Sequence, residues 1–114
     1  MKRSALWWIA LLLSVCPAYA AIYTGSGTVY TLQVHDSSLG TDMDWFSLVG
    51  VTSLGTCRTA DAGYVALALR DDAKGQRMFT LVLAAKSAGA TLTVRVDDTV
   101  VSSSGYCYAR VVYE

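Results

Sequence analysis

One block of the chain has helical rather than strand character, and its place in the order limits the folds available. Residues 73–88 (AKGQRMFTLVLAAKSA) are rich in helix formers. Asp71 and Asp72 precede them, and aspartate both caps a helix N-terminus and suits its positive end. Gly89 follows and can take the left-handed cap conformation. Before this block lie three strand-like segments. Residues 28–35 (TVYTLQVH) alternate, with Tyr30, Leu32 and Val34 on one face and Thr31, Gln33 and His35 on the other. Residues 45–52 (WFSLVGVT) are aromatic and β-branched, with Gly50 expected at a bulge or sharp bend. Residues 64–70 (YVALALR) set Val65, Leu67 and Leu69 against the small Ala66 and Ala68. After the block come residues 92–97 (LTVRVD), a serine-rich turn ending at Gly105, and residues 106–113 (YCYARVVY). The order is β-β-β-α-β-β. The expectation is a mainly β chain with one helix, folded as a five-stranded OB-fold-like barrel. An open α+β sheet and a small sandwich are the competing architectures.

The first twenty residues read as something to be removed. Lys2 and Arg3 precede an apolar run over residues 5–15, and Pro17 and Ala18-Tyr19-Ala20 follow it. That is the layout of a secretory signal peptide with a small-residue cleavage site. The run falls short of the about twenty apolar residues that span a bilayer, and no second long run exists, so no membrane span is expected. The expected division is a signal peptide over 1–20 and a single domain over 21–114, exported to the periplasm or beyond the cell. Removing twenty of 114 residues leaves 94, and takes Lys2 and Arg3 from the nine basic residues, leaving seven against nine acidic ones. That balance offers no basic footprint for nucleic acid.

Removal also takes Cys16, which leaves Cys57 and Cys107. Two cysteines in an oxidising compartment, with no metal-ligand neighbours, are expected to pair. A bridge closing about fifty residues is worth about 4 kcal/mol in the chain-entropy view.

The helix has more apolar surface than one core needs. Met78, Leu81, Val82 and Ala85 make an inward face. Phe79, Leu83 and Ala84 make a second, read as an oligomer interface. Catalytic chemistry finds little support. His35 stands beside Asp36 and several serines, but sequence adjacency is not triad geometry, and no G-x-S-x-G elbow occurs. Asp42, Asp44, Asp71, Asp72, Asp97 and Asp98 form no calcium loop, and paired cysteines leave zinc without ligands. The reading is of a non-enzyme with no cofactor and no metal. The aromatic residues Trp45, Tyr106 and Tyr108 are the candidates for ligand contact, since aromatic faces stack on the apolar faces of sugars. Tyr106 and Tyr108 are placed on one face with Arg110.

The stretch RDDAKGQRMFTLVLAAKSAGATLTVRVDD, followed by GYCYARVVY, resembles the exported proteins related to the B subunit of subtilase cytotoxin. An Asp-preceded helix ending in A-x-x-A-G, a strand of alternating valines, then G-Y-C and a terminal strand carry the likeness. It covers about half of the chain after residue 20. The resemblance implies an OB-fold, a homo-oligomer that is a ring of five in the toxin members, a glycan ligand that is sialylated there, and a toxin A subunit as partner. It also implies a sugar pocket in the first strand and the loop after it, which is here His35, Asp36, Ser37 and Ser38. The alternative is a monomeric periplasmic OB-fold or inhibitor-like protein that binds a protein partner such as a cell-wall hydrolase.

Overall fold

The computed structural model describes residues 21–34 and 44–114. Five strands and one helix follow in the order β1 (Ile22–Gln33), β2 (Asp44–Leu48), β3 (Leu67–Leu69), α1 (Ala73–Ala88), β4 (Thr91–Val101) and β5 (Cys107–Tyr113). β1 pairs antiparallel with β2 and with β4, β2 with β3, and β4 with β5. β3 and β5 run parallel and meet at only two residue pairs, Leu67 with Cys107 and Ala68 with Tyr108. Every strand therefore has two neighbours, and the ladder β1-β2-β3-β5-β4 closes into a barrel.

The interior is filled by Phe46, Leu48, Leu67, Leu92, Val94, Val96 and Cys107, all fully buried. The long connection from β2 to β3 folds over one end and adds Val51, Leu54, Cys57 and Val65 to the same cluster. Cys57 and Cys107 are bonded, with Cα atoms 5.5 Å apart at a sequence separation of 50. The bridge ties that connection to the start of β5. Among the described residues no helix is long and apolar enough to cross a membrane.

The first strand departs most from its sequence pattern. It begins at Ile22, before the alternating stretch. The segment around Gly25 and Gly27 shows no apolar periodicity because the glycines themselves face the interior. A Cβ on Gly25 would lie 3.0 Å from Val51, and one on Gly27 would overlap the Val49 carbonyl oxygen. The connection after β2 packs directly on this bare backbone. The register then shifts between Val29 and Thr31, which leaves Tyr30 as an extra residue. Such a bulge reverses the phase of everything beyond it. Val29 and Leu32 both pack on the core, whereas Tyr30 and Val34 are exposed. The single face expected for Tyr30, Leu32 and Val34 is broken there.

β2 stops at Leu48, and Gly50, at φ +83°, forms a turn after the strand rather than a bulge within it. β3 is reduced to three residues, since Val65 makes only an isolated bridge to Thr59. β4 runs on to Val101.

The helix has the bounds and caps its sequence suggests. Asp72 accepts a hydrogen bond from the Gly75 amide at 2.7 Å, and Gly89 ends the helix in the left-handed region. Val82 and Ala85 are fully buried against the barrel, with Met78 and Leu81 packed beside them. Phe79 joins them instead of lying on a second face. The outward apolar surface is thus Leu83, 47% exposed, with the exposed Ala84.

Gly75 is buried at the first turn of α1, and a Cβ there would overlap the Arg70 carbonyl oxygen. Helix propensity alone favours Gly75→Ala by about 1 kcal/mol. Backbone overlap opposes it, and forcing extra atoms into packed space costs about 1–3 kcal/mol or more. The overlap should win because a carbonyl oxygen cannot rotate away as a side-chain tip can. Gly75→Ala is expected to lower the urea midpoint of unfolding; an unchanged or higher midpoint contradicts this packing.

Candidate functional site

Because side chains alternate along a strand, the three strands β2, β3 and β5 carry two rows across the sheet. The inward row is Phe46, Leu67 and Cys107. The outward row, one residue away in each strand, is Trp45, Ala68 and Tyr108. Alanine in the middle leaves space for large rings on both sides. Trp45 fills it and is 4% exposed, although it lies outside the barrel. It forms a second cluster with Ala66 and Ala68, and Ala60, Tyr106 and Tyr108 pack against it half-buried. The Trp45 and Tyr106 ring centroids are 5.7 Å apart, tilted at 55°.

Two arginines complete this ridge. Arg70 follows Ala66 and Ala68 at the same two-residue spacing, just past the end of β3. Its guanidinium lies 4.2 Å from the centre of the Tyr108 ring. Arg58, on the β2–β3 connection, lies 5.7 Å from the centre of Tyr106 and donates a hydrogen bond to the Ser104 carbonyl at 3.0 Å. The cations face the negative π-clouds of the rings, a contact worth about 0.5–1 kcal/mol when exposed. The result is an amphipathic surface with a rigid Trp45 floor, two half-buried tyrosines and guanidinium groups at their faces. A second aromatic pair, Tyr30 and Tyr64, meets edge to face at 5.1 Å.

Of the candidate ligand residues, the structure brings together Trp45, Tyr106 and Tyr108. His35, Asp36, Ser37 and Ser38 lie outside the described residues. Arg110 does not keep company with the two tyrosines. The β4–β5 register shifts between Arg95 and Val96, which pair with Val111 and Ala109 and skip Arg110. Arg110 reaches Asp97 instead, at 3.6 Å. Asp97 accepts hydrogen bonds from the Thr99 hydroxyl at 2.6 Å and the Thr99 amide at 2.9 Å. Those two bonds, helped by Arg110, hold its carboxyl below the usual carboxylate range. Neither Arg58 nor Arg70 is among the candidate residues of the sequence. Arg70 was within reach, since it continues the outward phase of Ala66 and Ala68; Arg58 sits in an irregular connection with no periodic signal.

The described residues contain no group of three or more His, Cys, Asp or Glu side chains placed to hold a metal ion. Ser47, fully buried on β2, has a hydroxyl with no hydrogen-bond partner among them. No family model, no curated protein and no solved structure matches this chain.

Proposed function

We propose that the protein is an exported, non-enzymatic OB-fold module that recognises glycan on a host or envelope surface and works as an oligomer. The observation that carries the reading is the outer ridge of Trp45, Tyr106 and Tyr108. A sugar ring has apolar C–H faces that stack on aromatic rings, and flanking hydroxyls that guanidinium groups can hydrogen-bond. Tyr106 and Tyr108 are half-exposed, and Trp45 holds them from beneath. Little side-chain freedom remains to be lost on binding, which favours affinity.

The strand order β1-β2-β3-β5-β4 with a helix between β3 and β4 supports the OB-fold assignment. In that fold the β2–β3 face, with the β1–β2 and β4–β5 connections, binds oligosaccharides and oligonucleotides. Trp45 is on β2, Tyr106 lies in the β4–β5 connection, and His35, Asp36, Ser37 and Ser38 fall between β1 and β2 in sequence. An oligonucleotide is disfavoured by the acidic balance of residues 21–114. The disulfide is compatible with export into an oxidising compartment. The likeness to toxin B subunits supports glycan as ligand, a pentameric ring as assembly, and a toxin A subunit as partner.

Screening the purified protein on a glycan array tests the ligand. Binding is expected, and Tyr108→Ala, which removes a stacking ring outside the barrel core, should weaken it about tenfold or more. Binding that survives both Tyr106→Ala and Tyr108→Ala would remove this ridge from the function. The assembly is tested through Leu83. Light scattering should give an oligomer for the wild type and a folded monomer for Leu83→Glu, because a charge in an apolar interface is costly. A wild type already monomeric at micromolar concentration would favour the monomeric, protein-binding alternative.

A further inference from the structure

A cleft of about 160 Å³ opens between the start of α1 and β5, beside a depression lined by Asp44 and Asp71 with which it shares Arg70 and Gly75. Three cations converge on it from three separate elements: Arg70 after β3, Lys74 in the first turn of α1, and Arg110 on β5. Met78 and Ala109 form an apolar floor. Asp72 also borders the cleft, but its carboxylate already accepts the Gly75 amide. With Asp97, 3.6 Å from Arg110, counted as well, three cations meet two carboxylates, a net of +1. Among the described residues, Arg70 and Lys74 have no carboxylate within ion-pair distance, and Arg110 has only Asp97.

Gathering like charges around one concave surface is unfavourable unless something offsets it. Like charges repel, and more strongly where protein displaces solvent. An excess of positive charge around one cleft, in a chain whose residues 21–114 are acidic overall, marks a place built for an anion. We propose that this cleft is a second binding site, for a single phosphate group. A phosphate monoester offers three free oxygens and close to two negative charges at neutral pH. That matches three donor groups carried by three separate elements. A planar carboxylate has only two oxygens and leaves one of the three donor groups without its own. The volume is several times the about 30 Å³ of one water and suits one such group with its nearest waters. The Tyr108 ring holds Arg70 at the rim, 4.2 Å away, so one guanidinium is oriented before the ligand arrives. The helix amides are not counted, and Asp72 already accepts that of Gly75.

The test is a titration of the ¹⁵N-labelled protein with inorganic phosphate at pH 7, with acetate at matched ionic strength as control. Saturable amide shifts centred on Lys74, Gly75 and Ala109 are expected with phosphate, and weaker ones with acetate. Lys74→Gln, an exposed change in the first helical turn, should reduce phosphate affinity about fivefold or more while the far-ultraviolet dichroism stays the same. Glucose 6-phosphate identifies the source. Tighter binding than inorganic phosphate means that the group arrives on a sugar, and equal binding means that the free anion is the ligand. Shifts that never saturate, or a Lys74→Gln variant that binds phosphate as the wild type does, would overturn the site. Neither result touches glycan binding at the Trp45 ridge, which Tyr106→Ala reports separately because Tyr106 does not border the cleft.

Discussion

Barrel closure rests on a narrow seam. β1 and β4 share seven aligned pairs, whereas β3 and β5 share two. Two pairs of a parallel ladder are little to hold a ring shut, and a sheet left open would expose unpaired backbone at both edges. The covalent link lies at this seam. Cys107 is itself one of the paired residues, and its partner Cys57 sits in the connection that covers the barrel end. The bond therefore fixes the start of β5 against β3 and holds Val51 and Leu54 over the interior. Its contribution, about 4 kcal/mol for a loop of this length, is a large fraction of the total stability of a small domain.

The seam also creates the outer surface. Where β2, β3 and β5 are brought side by side, the inward row seals the core and the outward row becomes Trp45, Ala68 and Tyr108. Arg70 emerges where β3 gives way to α1, and it faces both the Tyr108 ring and the basic cleft. Gly75 lets α1 start hard against the Arg70 backbone, which sets the distance between helix and strand. The ridge and the cleft thus depend on the same closure and share Arg70.

How much of this is legible in the sequence depends on whether the determining interaction is local. The helix is legible to the residue, because Asp72 and Gly89 act on their own neighbours. The strand order follows from period-two alternation and from the single helical interruption. The disulfide follows from the pair of cysteines left once Cys16 is set aside. The outward face of β3 is half-legible, since Ala66 and Ala68 read as a small-residue face without revealing what fills the space they leave. What fails is whatever distant contacts set. Gly25 and Gly27 carry no apolar signal of their own, yet they are strand because Val49, Val51 and Leu54 pack on them. The bulge at Tyr30 and the shift at Arg110 arise from registers with β2 and β4, and both reverse a face assignment. Phe79 reads as outward by helical spacing, yet packs on the core.

Native-state hydrogen exchange before and after reduction of Cys57–Cys107 tests the dependence on the seam most directly. With the bond intact, the amides of Leu67, Ala68 and Tyr108 should be protected along with those of β1 and β4. After reduction, protection at β3, the first residues of β5 and the connection over the barrel end should fall by orders of magnitude, while the β1–β4 pairs keep most of theirs. Protection that stays the same after reduction, or falls equally in every strand, would contradict the claim that closure is held at this one place.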